Sequence, residues 1–241
     1  MKPEPLSLSI FFPCYNDAGT IASMVVKADA LARTLTGDYE IIVIDDGSED
    51  GSWDVVQELH RRYAALRLIH HEKNEGYGAT LRAGFAAAIK EWVFYTDGDG
   101  QYDVNELSLL VNRISDTVDI VNGYKIKRHD PFHRIIIGWL YHSIVKISFG
   151  LRIRDVDCDF RLVRRSMISK IPLRHTSGVV CVEMIAKLED AGARFVEVGV
   201  HHYFRSYGKS TMFQFGRIFR AMFQLVHLWV NLRLFQQDTT V

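Results

Sequence analysis

Short apolar runs alternating with stretches of helical periodicity constrain this chain more than any other feature of its sequence. Leu6–Phe12, Tyr39–Ile44, Leu66–His70 and Trp92–Thr96 read as strands, the first stopped by Pro13 and the second a near-continuous β-branched run of the kind a buried parallel strand shows. Between them Ile21–Leu35, Trp53–Tyr63 and Gly78–Ile89 carry apolar residues at helical spacing. Strands alternating with helices imply βαβ units, so the expected class is α/β, a Rossmann-like, mostly parallel sheet with helices on both faces. Ligands of such sheets sit beyond the carboxyl ends of the strands.

Those strand ends carry the polar chemistry. Pro13-Cys14-Tyr15-Asn16-Asp17 follows the first strand, Asp45-Asp46-Gly47-Ser48 the second and Asp97-Gly98-Asp99-Gly100-Gln101 the fourth. Carboxylates crowded on one edge repel unless a cation or hydrogen-bond donors compensate, and oxygen ligands around a glycine suit Mg²⁺ or Mn²⁺. Asn74-Glu75-Gly76-Tyr77-Gly78 opens a helix, where backbone N–H groups could approach a phosphate. It is neither a Walker A loop nor a GxGxxG fingerprint.

The chain has 241 residues, and three cysteines without metal-ligand spacing argue against a disulfide scaffold or a zinc site. A chain of this length needs neither staple to build a core. Its first residues lack the charged head and cleavage region of an export signal. Two long uncharged stretches, Ile135–Val145 and Ala221–Leu232, are eleven and twelve residues, short of a membrane span. A cytoplasmic protein is expected. The net charge of zero hides a division: residues 1–124 hold 10 basic and 20 acidic side chains, residues 125–241 hold 19 and 9. A basic half of this kind suits an anionic partner.

Six segments in order, FFPCYND, VIDDGSEDGS, NEGYGATLRAGF, YTDGDGQYD, DVDCDFRLVRR and HHYFRSYGKS, resemble the family 2 glycosyltransferases of GT-A fold, and within them the dolichyl-phosphate mannose synthase-like polyprenyl-phosphate sugar transferases. The resemblance covers about residues 7–215. It implies a nucleotide-sugar donor, GDP- or UDP-linked, held by Pro13, Tyr15, Asp17, Ile44, Asp46, Asp97, Gly98 and Asp99, with Lys125 and Arg205 on its phosphates. It also implies a Mg²⁺ or Mn²⁺ ion on Asp97, Asp99 and Gln101, and inverting transfer in which Asp99 and Arg205 answer the charge of the leaving group. Several positions depart from the family pattern: Asp17 replaces Glu, Lys125 replaces Arg, Thr211 replaces Lys, and Cys158-Asp159 replaces a glycine-containing pair.

A polyprenyl phosphate acceptor would explain the basic half, with Lys127, Arg128, Arg134 and Arg161 as candidates for its phosphate. That phosphate is already an anion and needs positioning rather than a strong base. A saccharide or protein hydroxyl acceptor would instead need a carboxylate, Asp159 or Asp157. In Thr211–Leu234, Arg217, Arg220, Gln224, His227 and Asn231 form one polar stripe if the segment is helical, opposite a broad apolar arc. This reads as an amphipathic helix at an anionic membrane surface, with a packing or dimer helix as the plainer alternative and Ile135–Val145 as a second candidate. The expected organisation is a glycosyltransferase domain over 1–211 and an interfacial segment over 212–241, peripheral on the inner membrane face. A membrane-protein partner or homo-oligomer fits the apolar arc, and nucleic acid is not expected. A receiver-like signalling module, imitated by Asp45-Asp46 and Asp97, leaves the basic half and HHYFRSYGKS without a role.

Overall fold

The computed structural model describes residues 5–127, 142–208 and 215–235, with only the backbone course given at 127, 215–219 and 235. Among the described residues, seven strands form one sheet in the order β3-β2-β1-β4-β6-β5-β7. They are β1 (Ser7–Cys14), β2 (Asp38–Asp45), β3 (Leu66–His70), β4 (Trp92–Thr96), β5 (Ile120–Lys127), β6 (Phe160–Arg164) and β7 (Phe195–His201). The helices are α1 (Ile21–Leu35), α2 (Ser52–His60), α3 (Tyr77–Ala87), α4 (Leu107–Val111), α5 (residues 142–149), α6 (Arg165–Ile168), α7 (Val179–Asp190) and α8 (Phe215–Val230).

Alternation along the strands splits the core into two layers. Phe11, Ile42, Ile44, Val93 and Tyr95 face α3, α5, α7 and α8, whereas Ile10, Phe12, Ile41, Val43 and Phe94 face α1, α2 and α4. Phe11 stacks on Tyr95 at 5.4 Å and meets the edge of Phe85 at 5.0 Å. Burying each such ring contributes roughly 1.5–3 kcal/mol. On α1, Ile21, Met24, Val25, Ala28 and Ala32 are buried at the helical spacing that the sequence shows.

β1 does not stop at Pro13, as expected, but runs on to Cys14, with Pro13 opposite Ile44 of β2. Neighbouring residues of a parallel strand bond to opposite sides. The N–H that Pro13 lacks would face β4, where pairing has already ended at Phe11–Tyr95. Its carbonyl accepts from Gly98 N at 3.0 Å instead.

Only β6 runs antiparallel to its neighbours. The carboxyl ends of β1–β5 and β7 and the amino end of β6 therefore share one sheet edge. The described parts of all six motif segments adjoin that edge.

α8 differs from the single polar stripe opposite a single apolar arc. Leu228 and Leu232 are buried in the core, and Ala221, Leu225 and Trp229 pack against it. Met222, Phe223 and Val226 are exposed. The apolar arc is thus divided between core and surface, and Gln224 of the polar stripe turns inward onto Ser177. Trp229 Nε1 donates to the Ser148 carbonyl of α5 at 2.7 Å. No helix among the described residues is long and apolar enough to cross a membrane. The expected boundary near residue 211 lies outside the described residues, as does most of Ile135–Val145.

Candidate active site

The β4 end carries the densest charge. Asp99 is buried, accepts from Gln101 N at 2.9 Å and forms an ion pair with the Arg205 guanidinium, delivered by the segment after β7. Asp97, two residues earlier, accepts from the Tyr77 hydroxyl at 2.7 Å. Burial, with Asp159 and Asp99 nearby, pushes its carboxyl well above the usual range. Gly98 is required here, because a Cβ would come within 2.8 Å of the Pro13 carbonyl. Gln101 Nε2 donates to the Tyr203 carbonyl at 3.1 Å, and Tyr203 N returns a bond to Gln101 O at 2.8 Å. These contacts tie the β4 and β7 segments together.

The β1 and β2 ends form the adjoining wall. Asp17 is 5% exposed, accepts from Tyr15 N at 3.2 Å, and has its other oxygen buried without a hydrogen-bond partner among the described residues. Burial, with Asp99 and Asp50 adding to it, raises the Asp17 carboxyl to about 7. Asp46 accepts from Glu75 N at 3.0 Å, Gly76 N at 2.9 Å and His71 Nδ1 at 2.7 Å. The Ile44 side chain lies wholly in the core beneath.

The Gly76–Gly78 turn departs from expectation. Its N–H groups are directed into the protein, Gly76 N to Asp46 and Gly78 N to the Thr176 carbonyl at 2.9 Å. Both donors are already bonded to protein acceptors, so the turn braces the site instead of presenting these groups to a phosphate.

On the β5–β6 side, Lys125 Nζ donates to the Asp157 carbonyl at 2.7 Å, while burial, Asp155 and Asp159 raise the Asp157 carboxyl to about 6 against the opposing pull of Lys125. Asp159 accepts from Arg161 at 3.2 Å and from Cys181 Sγ at 3.1 Å. Arg161, a candidate for the acceptor phosphate, is fully buried. Its guanidinium bonds Asn122 Oδ1 at 2.7 Å, Asp159, the Tyr95 hydroxyl and the Val156 carbonyl. A phosphate would reach it only by breaking that cage, so Arg161 serves as a strut under the site. Arg128 and Arg134 lie outside the described residues, and the Lys127 side chain is likewise not described.

Among the described residues, two groups of side chains could hold a divalent cation. Asp97 and Asp99 offer hard carboxylate oxygens on either side of a glycine, and the Arg205 guanidinium marks the place beside Asp99 where positive charge is favourable. His142, Asp155 and Asp157 bring one ligand atom each within 4.8 Å of one another. The sequence did not point to Tyr77, His71 or His142. The aromatic residue between two glycines of a helix-opening turn was the one available sign of Tyr77.

Comparison with known proteins gives the family and the fold. The model of the family described as "Glycosyl transferase family 2" matches residues 9–172. An undecaprenyl-phosphate 4-deoxy-4-formamido-L-arabinose transferase of Pseudomonas paraeruginosa is 30% identical over 230 residues, 94% of this chain and 66% of the relative. The Pseudomonas aeruginosa protein of the same description is 29% identical over the same span. The chain thus spans just under two thirds of the length of these relatives. Mannosyl-3-phosphoglycerate synthase from Rubrobacter xylanophilus shares the fold with a TM-score of 0.73 at 17% identity, covering 98% of this chain and 77% of that one. Glucosyl-3-phosphoglycerate synthase from Mycobacterium tuberculosis, solved with Mn²⁺, UDP and glucosyl-3-phosphoglycerate, has a TM-score of 0.69 at 16% identity and covers 94% and 79%.

Proposed function

The chain belongs to glycosyl transferase family 2, and on that premise we propose that it moves a sugar, with inversion, from a nucleotide-sugar to a polyprenyl phosphate at a membrane surface. The observation that carries the reading is the Asp99–Arg205 ion pair, which closes the acidic β4 end with the basic segment after β7. The acceptor class follows the relatives, whose names specify undecaprenyl phosphate.

In the proposed reaction an oxygen of the lipid phosphate attacks the anomeric carbon as the bond to the nucleoside diphosphate breaks, so the electron pair and negative charge leave on the diphosphate. Asp17 and the 13–16 segment form the wall for the nucleoside, and Asp46 holds that wall to the Gly76 turn. Arg205 and Lys125 bring positive charge to the diphosphate side. Arg205 does so with a planar fork that can donate two hydrogen bonds at once. A Mg²⁺ or Mn²⁺ ion on Asp97 and Asp99, with Gln101 beside them, would supply Lewis-acid stabilisation of the departing diphosphate. The acceptor, already anionic, is positioned rather than deprotonated.

A hydroxyl acceptor is the second reading. It is favoured by Asp157, whose carboxyl near 6 is suited to general-base work. The test incubates the protein with GDP- and UDP-sugars, undecaprenyl phosphate in detergent and Mn²⁺, following label into the organic phase. The reading expects lipid-linked label, its loss in EDTA, and a fall of several powers of ten in Asp99→Asn with the fold retained. Transfer only to water-soluble hydroxyl acceptors would select the second reading, and full activity in EDTA would remove the metal.

A further inference from the structure

Tyr77 is the first residue of α3, and its hydroxyl is bonded to Asp97. Nothing in the nucleotide-sugar chemistry requires a tyrosine there, yet the turn that places it is unusually constrained. Gly76 has φ +97°, and a Cβ on it would lie 2.6 Å from the Thr176 carbonyl. Gly78 N donates to that same carbonyl, and Arg82 donates to the carbonyl of His175. The 174–176 segment is itself pinned from behind, because Glu183 accepts from the backbone N–H groups of Arg174 and His175. The Tyr77 ring thus enters the site from a rigid backing.

From this geometry we infer that Tyr77 is a positioning residue for the divalent-cation site: its hydroxyl holds one oxygen of Asp97 and thereby sets the direction in which the other meets the ion. This rests on the reading of Asp97 and Asp99 as cation ligands. A carboxylate on a short side chain can rotate about its last torsion, and a fixed donor to one oxygen removes that freedom. Partners of this kind, bonded to a ligand rather than to the metal, typically change metal affinity by about 10- to 100-fold when removed.

The experiment titrates Mn²⁺ into the apo protein with UDP or GDP present and reads the free-ion signal by electron paramagnetic resonance, well below each variant's melting temperature. Tyr77→Phe keeps the ring and removes the bond. It should weaken Mn²⁺ binding about tenfold or more, with circular dichroism unchanged. In turnover it should raise the Mn²⁺ concentration needed for half-activation while leaving most of kcat at saturating Mn²⁺. Tyr39→Phe is the control: Tyr39 bonds Asp29 at the same 2.7 Å, far from the sheet's ligand edge, so its loss should leave Mn²⁺ binding as it was. Mn²⁺ bound as tightly by Tyr77→Phe as by the wild type, with Asp99→Asn weakened, overturns the role of Tyr77 alone. A wild type that binds no Mn²⁺, or binds it no better than Asp99→Asn, overturns the cation reading and the role of Tyr77 with it.

Discussion

Arg205 illustrates how much a single side chain can carry in this site. It lies in an irregular segment after β7, is partly exposed, and reaches back to the buried carboxylate of Asp99. A group whose partner is the charge developing on a leaving diphosphate should act on turnover more than on binding. Arg205→Ala is therefore expected to lower kcat by about 10²–10³ while changing nucleoside diphosphate affinity much less, as read by steady-state kinetics beside isothermal titration. Arg205→Lys keeps the charge without the fork and should fall between. A loss confined to the donor KM would contradict this role. The cluster of Asp97, Asp99 and Gln101 was legible in the sequence because it follows a strand that the pattern predicts and the topology brings strand ends to one edge, whereas Arg205 was named only through the family resemblance, β7 having no expected strand before it. Arg161 was not placed correctly by the same reasoning. One residue inside β6, it points into the sheet's packed layer, and nothing in the local pattern says which basic residues of the DVDCDFRLVRR segment are buried.

At the scale of elements, the backing of the site depends on α7. Val179–Val182 is rich in β-branched residues and by propensity alone would suit a strand, yet it forms the start of a helix buried along its length. Tertiary burial overrides local preference there. The strands β1–β4 and the helices between them were legible because their periods are strong, and β3 and β4 have the bounds the sequence predicts. β5 was hidden by Asn122, Gly123 and Lys125, polar or small residues that interrupt the apolar run expected of a buried strand. Glu183 of α7 is fully buried, pairs with Lys187 at 2.9 Å and bonds His175. Burial alone would raise its carboxyl, but the bonds from His175 and Lys187 hold it down at about 2, against an ordinary value of 4.5. Such a depressed acid stabilises the fold fully above pH 4.5, and the contribution fades as pH falls from there toward 2. The shift corresponds to roughly 3 kcal/mol. Glu183→Gln should therefore destabilise the protein at neutral pH by about 3–5 kcal/mol, since it breaks a buried ion pair by removing the charge of one partner. The gap in urea midpoints between variant and wild type should narrow as pH falls below 4.5. A gap independent of pH would show that the pair, as drawn, does not govern the acid limb.

For the whole molecule, the charge division and the divided face of α8 meet in one question: what the exposed apolar residues touch. Met222, Phe223 and Val226 are 60%, 70% and 62% exposed, while the opposite side of the same helix is sealed into the core by Leu228, and the Asn231–Phe235 turn that continues it by Leu232. A plain packing helix would account for the second set and leave the first unexplained. α5 lies alongside with Ile144 and Ile147 also exposed, and the half of the chain that contains both helices holds 19 basic against 9 acidic side chains. Apolar side chains exposed on a helix from the basic half of the chain suit the boundary of an anionic membrane, where apolar contact and charge attraction act together. The protein should then sediment with vesicles containing anionic lipid and be released in part by salt, because screening weakens only the charge component. Phe223→Asp/Val226→Asp removes two exposed apolar groups that make no core contact. Each is worth roughly 1.5 kcal/mol on burial, so the pair should weaken vesicle binding about 100-fold or more. Melting temperature and nucleotide binding should stay as they were, since neither residue belongs to the core or to the strand-end site. If the double variant sediments with anionic vesicles as well as the wild type does, the exposed face of α8 is not the membrane contact. A second copy of the chain then becomes its better occupant, and sedimentation equilibrium would show that as a dimer the substitutions abolish.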